Sequence, residues 1–177
     1  MVAYSSITFV ACTILGLTTA APSTIPTTGV VHRIFAGSKA ENNGLHYDPE
    51  NVVAQVGDMV VFHFLPKNHT VVQSSFDDPC QPIDDGKFSG FNYATNDTES
   101  ENVYSFIVQD TKPFWYYCSQ PVGEHCRSGM SGVINQDFNS NKTLAAYKEK
   151  AKAAVLQQPS LDPLESRGGY IVPNVPL

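Results

Sequence analysis

The stretch DMVVFHF, Asp58–Phe64, decides how the rest of the chain is read. Its side chains alternate, with Val60, Phe62 and Phe64 on one face and Met59, Val61 and His63 on the other, the period of a strand whose one face meets a core. Gly57 and Asp58 make the turn before it. Outward from it, VVHRIFAG (30–37), HTVVQSS (69–75), NVYSFIVQ (102–109), PFWYYC (113–118) and SGVINQ (131–136) are further short runs rich in Val, Ile, Phe, Tyr and Thr. Gly, Pro, Asn and Asp separate them, and that spacing predicts an all-β domain over residues 30–138, an antiparallel Greek-key sandwich or barrel. The polar interval from Asp77 to Ser100 reads as a long loop, pinned by Phe88, Phe91, Tyr93 and Cys80.

Beyond Gln136 the character changes. TLAAYKEKAKAAVLQQ (143–158) is rich in Ala, Lys and Glu, and Leu144, Tyr147, Ala151, Ala154 and Val155 fall on one helical face. A C-terminal helix ended by Pro159 is expected. SLDPLESRGGYIVPNVPL has no period and is expected as a flexible tail, so residues 139–177 form a helical extension and tail.

The first twenty residues carry no charge, and their apolar run Ile7–Leu17 is too short to span a membrane stably. They read as a signal peptide, residues 1–20, cleaved after Ala20, where Thr18 and Ala20 supply the small residues a peptidase needs. Residues 21–29 form a Pro/Thr-rich leader. YIVPNVPL is short and broken by prolines, so no GPI anchor is expected and the product should be secreted, extracellular, without a membrane anchor and monomeric. The net charge of −6 and scattered basic residues argue against nucleic acid as a partner. No nucleophile–base set or carboxylate pair marks an enzyme.

Cys12 falls in the signal segment, leaving Cys80, Cys118 and Cys126. An odd number in an oxidising compartment means a buried free thiol, an intermolecular bridge, or a thiolate held by a metal. CSQPVGEHCRSGM (118–130) favours the last. A copper–thiolate site of the blue type takes one Cys sulfur, two His nitrogens and a weak axial thioether, and Cys118, His125 and Met130 supply three of these from one loop between two expected strands. His69, at the start of a strand after a Pro-containing loop, is the best placed second histidine; His32, His46 and His63 read as solvated or satisfied side chains. A Cys118–Cys126 bridge would abolish such a site, and Met130 could equally serve as a core side chain. Zinc fits less well, because structural zinc prefers more Cys or His and has no use for a thioether.

The order NHTV, FDDPC, WYYC, HC-x-x-GM, together with VVAQVGDMVVFHF, resembles the phytocyanin-type cupredoxins and their secreted fungal relatives over about residues 30–136. The resemblance implies one copper ion on His69, Cys118, His125 and Met130, and a disulfide between Cys80 and Cys126. Six residues, SQPVGE, separate Cys118 from His125, where plant members usually have four. The function implied is one-electron transfer with a redox partner protein or small molecule not identified by the sequence. The other readings are copper storage or scavenging, and a non-redox interaction or cell-wall protein built on the same scaffold. Asn96 and Asn141 stand in sequons as expected glycan sites, whereas Asn68 precedes a ligand and is expected to brace the ligand loop with its side chain.

Overall fold

A computed structural model describes residues 29–37 and 42–175; the expected signal segment and the leader up to residue 28 lie outside the described residues. Strands β1 (Val31–Ala36), β2 (Tyr47–Asp48), β3 (Asn51–Val52), β4 (Met59–Phe64), β5 (Val72–Ser74), β6 (Asn102–Ile107), β7 (Phe114–Tyr117), β8 (Ser131–Ile134) and β9 (Tyr170–Pro173) are joined by one helix, α1 (Leu144–Ala151). They form two sheets, ordered β2-β1-β4-β6-β9 and β3-β8-β7-β5. The chain passes between sheets several times, which is why β1 and β4 become parallel neighbours, as do β3 and β8. Every other strand pair is antiparallel. The expectation of an antiparallel sandwich is therefore met with two parallel pairs, each produced by a crossover that a hairpin could not make.

The alternation in β4 is realised: Val60, Phe62 and Phe64 are fully buried. They face Tyr116 and Ile134 of the second sheet within one core that also holds Ile34, Tyr47 and Tyr104. Aromatic edges fill it, Tyr116 meeting Tyr47 at 4.8 Å and Phe62 at 5.2 Å between ring centroids, the T-shaped geometry that ring quadrupoles favour. At the far end, the turn before β4 is held by Asp58, whose carboxylate accepts from the Gln55 and Val30 N–H groups and pairs with His32 at 2.7 Å. These bonds, the Gln55 one foremost, hold the Asp58 carboxyl below its usual range.

In β7 and β8 both faces are buried, because α1 covers the outer one. Tyr147 stacks on Trp115 at 5.4 Å and its hydroxyl bonds Ser74 at 2.6 Å; Leu144 packs beside Val133, and Lys148 pairs with Glu50. Thr143 caps the helix, its Oγ1 accepting from Ala146 N–H at 3.1 Å. The helix stops at Ala151, short of the expected Gln158: the chain tightens there, and Gln157 N–H goes to the Cys80 carbonyl at 2.9 Å. Val155, expected on the buried face, is exposed. The segment expected as a flexible tail is also tied down, with Phe88 and Arg167 exchanging backbone bonds of 3.0 and 2.7 Å before β9 adds to the edge of β6.

Candidate metal centre

The loops after β4, β7 and β1 meet at one pole of the sandwich. His69 lies in the connection from β4 to β5, Cys118 directly follows β7, and His125 and Met130 lie in the connection from β7 to β8. One donor atom from each of His69, Cys118 and His125 falls within 4.8 Å of the others. Cys118 Sγ is 3.4 Å from His125 Nδ1 and 4.0 Å from His69 Nδ1. His69 and Cys118 are fully buried and His125 is 4% exposed, so His125 is the one ring that keeps an edge toward solvent.

The six-residue spacer reaches this geometry by folding back. Glu124 N–H bonds the Pro121 carbonyl and Ser128 N–H the Glu124 carbonyl, while Gly123 and Glu124 both take positive φ, the conformation in which a chain reverses tightly. Met130 N–H then donates to the His125 carbonyl at 2.9 Å and Cys118 N–H to the Met130 carbonyl at 3.1 Å. Met130 is fully buried in the same core as Cys118, and its peptide groups bond to both loop donors.

Thr70 fastens the two loops together. Its N–H points at Cys118 Sγ from 3.4 Å, its Oγ1 accepts from Ser119 N–H at 2.8 Å, and its carbonyl accepts from Tyr47 Oη at 2.5 Å. Gly37 faces the other side of His69: a Cβ built there would lie 2.4 Å from His69 Nε2. Any larger residue would push the ring, so a glycine is needed. Neither residue stood out in the sequence, because Thr70 acts through backbone and hydroxyl bonds to partners far along the chain and Gly37 by having no side chain. The only signal was position, Thr70 beside His69 and Gly37 at the end of β1.

Burial, followed by the neighbouring His125, lowers the His69 pKa to about 4. Burial, followed by Lys67, lowers that of His125 to about 4. Burial raises the Cys118 thiol to about 11 even though the Gln120 and Thr70 N–H groups pull the other way. At neutral pH both rings are uncharged and keep lone pairs for a metal, while the thiol holds its proton until a cation displaces it. His69 Nε2 lies 3.3 Å from the Pro66 carbonyl; donating there leaves Nδ1, the atom facing Cys118, as the lone-pair nitrogen. A thiolate with two imidazoles in a dry pocket fits one copper ion.

Cys80 and Cys126 are joined, with Cα atoms 5.8 Å apart, so the long loop is stapled next to His125 and Cys118 is the free cysteine among the described residues. The remaining histidines do not join the cluster: His32 pairs with Asp58, His63 with Glu99 at 2.5 Å, and the His46 carbonyl accepts from Gly37 N–H. Asn96 and Asn141 are exposed. The brace expected from the Asn68 side chain comes from its carbonyl instead, which accepts from Gln120 Nε2 at 3.4 Å; Asn68 Oδ1 is buried without a hydrogen-bond partner.

A two-sheet sandwich that gathers a buried His–Cys–His cluster at one pole defines a cupredoxin. No family model matches the sequence, but curated relatives do. The chain is 36% identical over 115 residues, 65% of its length and 57% of the relative's, to a "Probable GPI-anchored cupredoxin-1" of the fungus Arthroderma benhamiae. It is also 36% identical over 128 residues, 72% of its length and 48% of the relative's, to an "Extracellular serine-rich protein" of the same organism. The chain spans about half the length of the curated relatives it matches. Among solved structures, native pseudoazurin from Hyphomicrobium denitrificans aligns with a TM-score of 0.42 at 19% identity, covering 72% of this chain and all of its own. Reduced auracyanin from Roseiflexus castenholzii aligns with a TM-score of 0.41 at 16% identity, covering 60% of this chain and 95% of its own. The chain is thus similar in sequence to a curated cupredoxin over part of that relative's length, and its two-sheet fold is cupredoxin-like.

Proposed function

We propose that this chain holds one copper ion outside the cell and passes single electrons to and from a redox partner. The observation that carries the reading is the convergence of one donor atom each from His69, His125 and Cys118 within 4.8 Å in a buried pocket. The extracellular assignment draws on the names of the fungal relatives. Copper supplies the chemistry, a one-electron change between its two common oxidation states.

The protein's own residues do the rest. Thr70 and Tyr47 tie the His69 loop to the Cys118 loop, which holds the donor atoms in place. Rigid donors keep the reorganisation on electron exchange small. Buried Met130 is the proposed weak fourth donor. The Thr70 N–H directed at Cys118 Sγ stabilises negative charge on sulfur. The slightly exposed ring of His125 is the contact through which a partner couples to the site.

The test is titration of the metal-free protein with Cu(II). One equivalent should produce an intense visible sulfur-to-copper charge-transfer band, and Cys118→Ser should abolish it. Wild-type protein that stays colourless, with its copper removed by simple gel filtration, would sink the proposal.

A further inference from the structure

Residues 152–158, a strap leaving α1, bond to both chain neighbours of Cys118. Tyr117 Oη donates to the Gln157 carbonyl at 2.9 Å, and Gln158 Nε2 donates to the Ser119 carbonyl at 2.7 Å. The same strap reaches the disulfide, with Gln157 N–H on the Cys80 carbonyl at 2.9 Å and the Lys152 carbonyl accepting from Arg127 Nε at 3.3 Å, beside Cys126. The strap is itself anchored. Arg167 Nη2 donates to the Pro159 carbonyl at 2.9 Å, and the Arg167 carbonyl accepts from Tyr104 Oη at 2.6 Å, in the opposite sheet.

From these contacts we infer that Gln158 is a positioning residue for the metal centre, fixing the Ser119 peptide and through it Cys118. This deepens the copper reading and rests on it. Ser119 is fully buried, and without Gln158 its carbonyl would lose the side-chain donor that holds it. The other end of that residue is already engaged: Ser119 N–H donates to Thr70 Oγ1, which is 3.8 Å from Cys118 Sγ. A turn of the Ser119 peptide would therefore loosen the bond that joins the His69 loop to the Cys118 loop. The spacer beyond it gains from such outside support, because Pro121 to Glu124 is exposed and, among the described residues, its hydrogen bonds and its Arg127 ion pair stay within residues 120–128.

The experiment compares wild type with Gln158→Ala, Gln158→Glu, which keeps the size and removes the donor, and Gln158→Lys, which restores one. Val155→Ala, on the exposed side of the strap, is the control. Amide hydrogen exchange is measured over residues 118–126 in the metal-free proteins, and copper release to a chelator is timed in the loaded ones. Loss of this one hydrogen bond predicts release and exchange about fivefold faster in the Ala and Glu variants, with Lys returning toward wild type and Val155→Ala unchanged. Unaltered exchange over 118–126 in both Ala and Glu variants would overturn the inference, as would an equal effect in Val155→Ala. Should the wild type take up no copper, the copper reading fails while the exchange data still decide the role of Gln158.

Discussion

The two histidines of the candidate site are neutral by burial, and that has a consequence for the metal-free protein. Both rings have pKa values of about 4 in the fold against about 6.5 in an unfolded chain. Between those values the unfolded chain binds protons that the folded one refuses, so the stability the rings contribute is complete above about pH 6.5 and is lost as pH falls toward 4. The Asp58 and Asp77 carboxyls are both shifted below 3.8, so their share of stability persists through that window and is lost only in more acid solution. Melting temperatures of metal-free protein should accordingly be flat from pH 7 to 8 and fall steadily from about pH 6.5 to 4. A flat profile down to pH 4 would mean that the rings accept protons inside the fold. Bound copper should raise stability without flattening this decline, because the rings are already unprotonated in the metal-free fold over that window and the metal displaces a further proton from the Cys118 thiol.

Helix α1 matters because it covers the outer face of the β5–β7–β8 sheet. Tyr147, fully buried, stacks on Trp115 and bonds Ser74. Tyr147→Ala should cost about 3–5 kcal/mol, the usual loss for a large buried aromatic, measured by urea unfolding followed through Trp115 fluorescence. A loss below about 1 kcal/mol would show that the helix is only loosely applied. The strands bordering the core were legible in the sequence because a period of two leaves a clear trace in runs such as DMVVFHF. The two-residue strands β2 and β3 were not, since two residues show no period, and β9 was hidden among glycines and prolines. The helix was overextended because Ala, Lys and Glu favour helix as far as Gln158, whereas the Cys80 carbonyl claims Gln157 N–H, a tertiary contact that propensity does not encode. Of the candidate site, Cys118, His125 and Met130 were legible as donor chemistry crowded into CSQPVGEHCRSGM, and His69 from its place after a Pro-containing loop. Gly37, Thr70 and Gln158 were not, because their roles depend on what lies across the fold.

The two sheets and the extension are tied together, since the segment after α1 bonds to Phe88 in the long loop and then adds a strand to the other sheet beside β6. Asn174 finishes the closure, donating to Glu99 Oε1 at 2.7 Å and to the Ser100 carbonyl at 3.0 Å. A stop codon after Gly169 removes this strand and leaves the N–H and C=O groups of β6 unpaired. The shortened protein should melt at lower temperature and associate in a concentration-dependent way, seen by light scattering, because an open edge recruits other strands. A monodisperse product with unchanged melting would show that β9 is ornamental to the sheet. The position of Gln158 has one more implication, for biosynthesis. His69, Cys118 and His125 all leave the ribosome before the residue that clamps their loop, and chains fold broadly from the N-terminus as they emerge. The three donors are therefore synthesised before the strap, so the segment that supports the Cys118 loop is the last part of the site to be made.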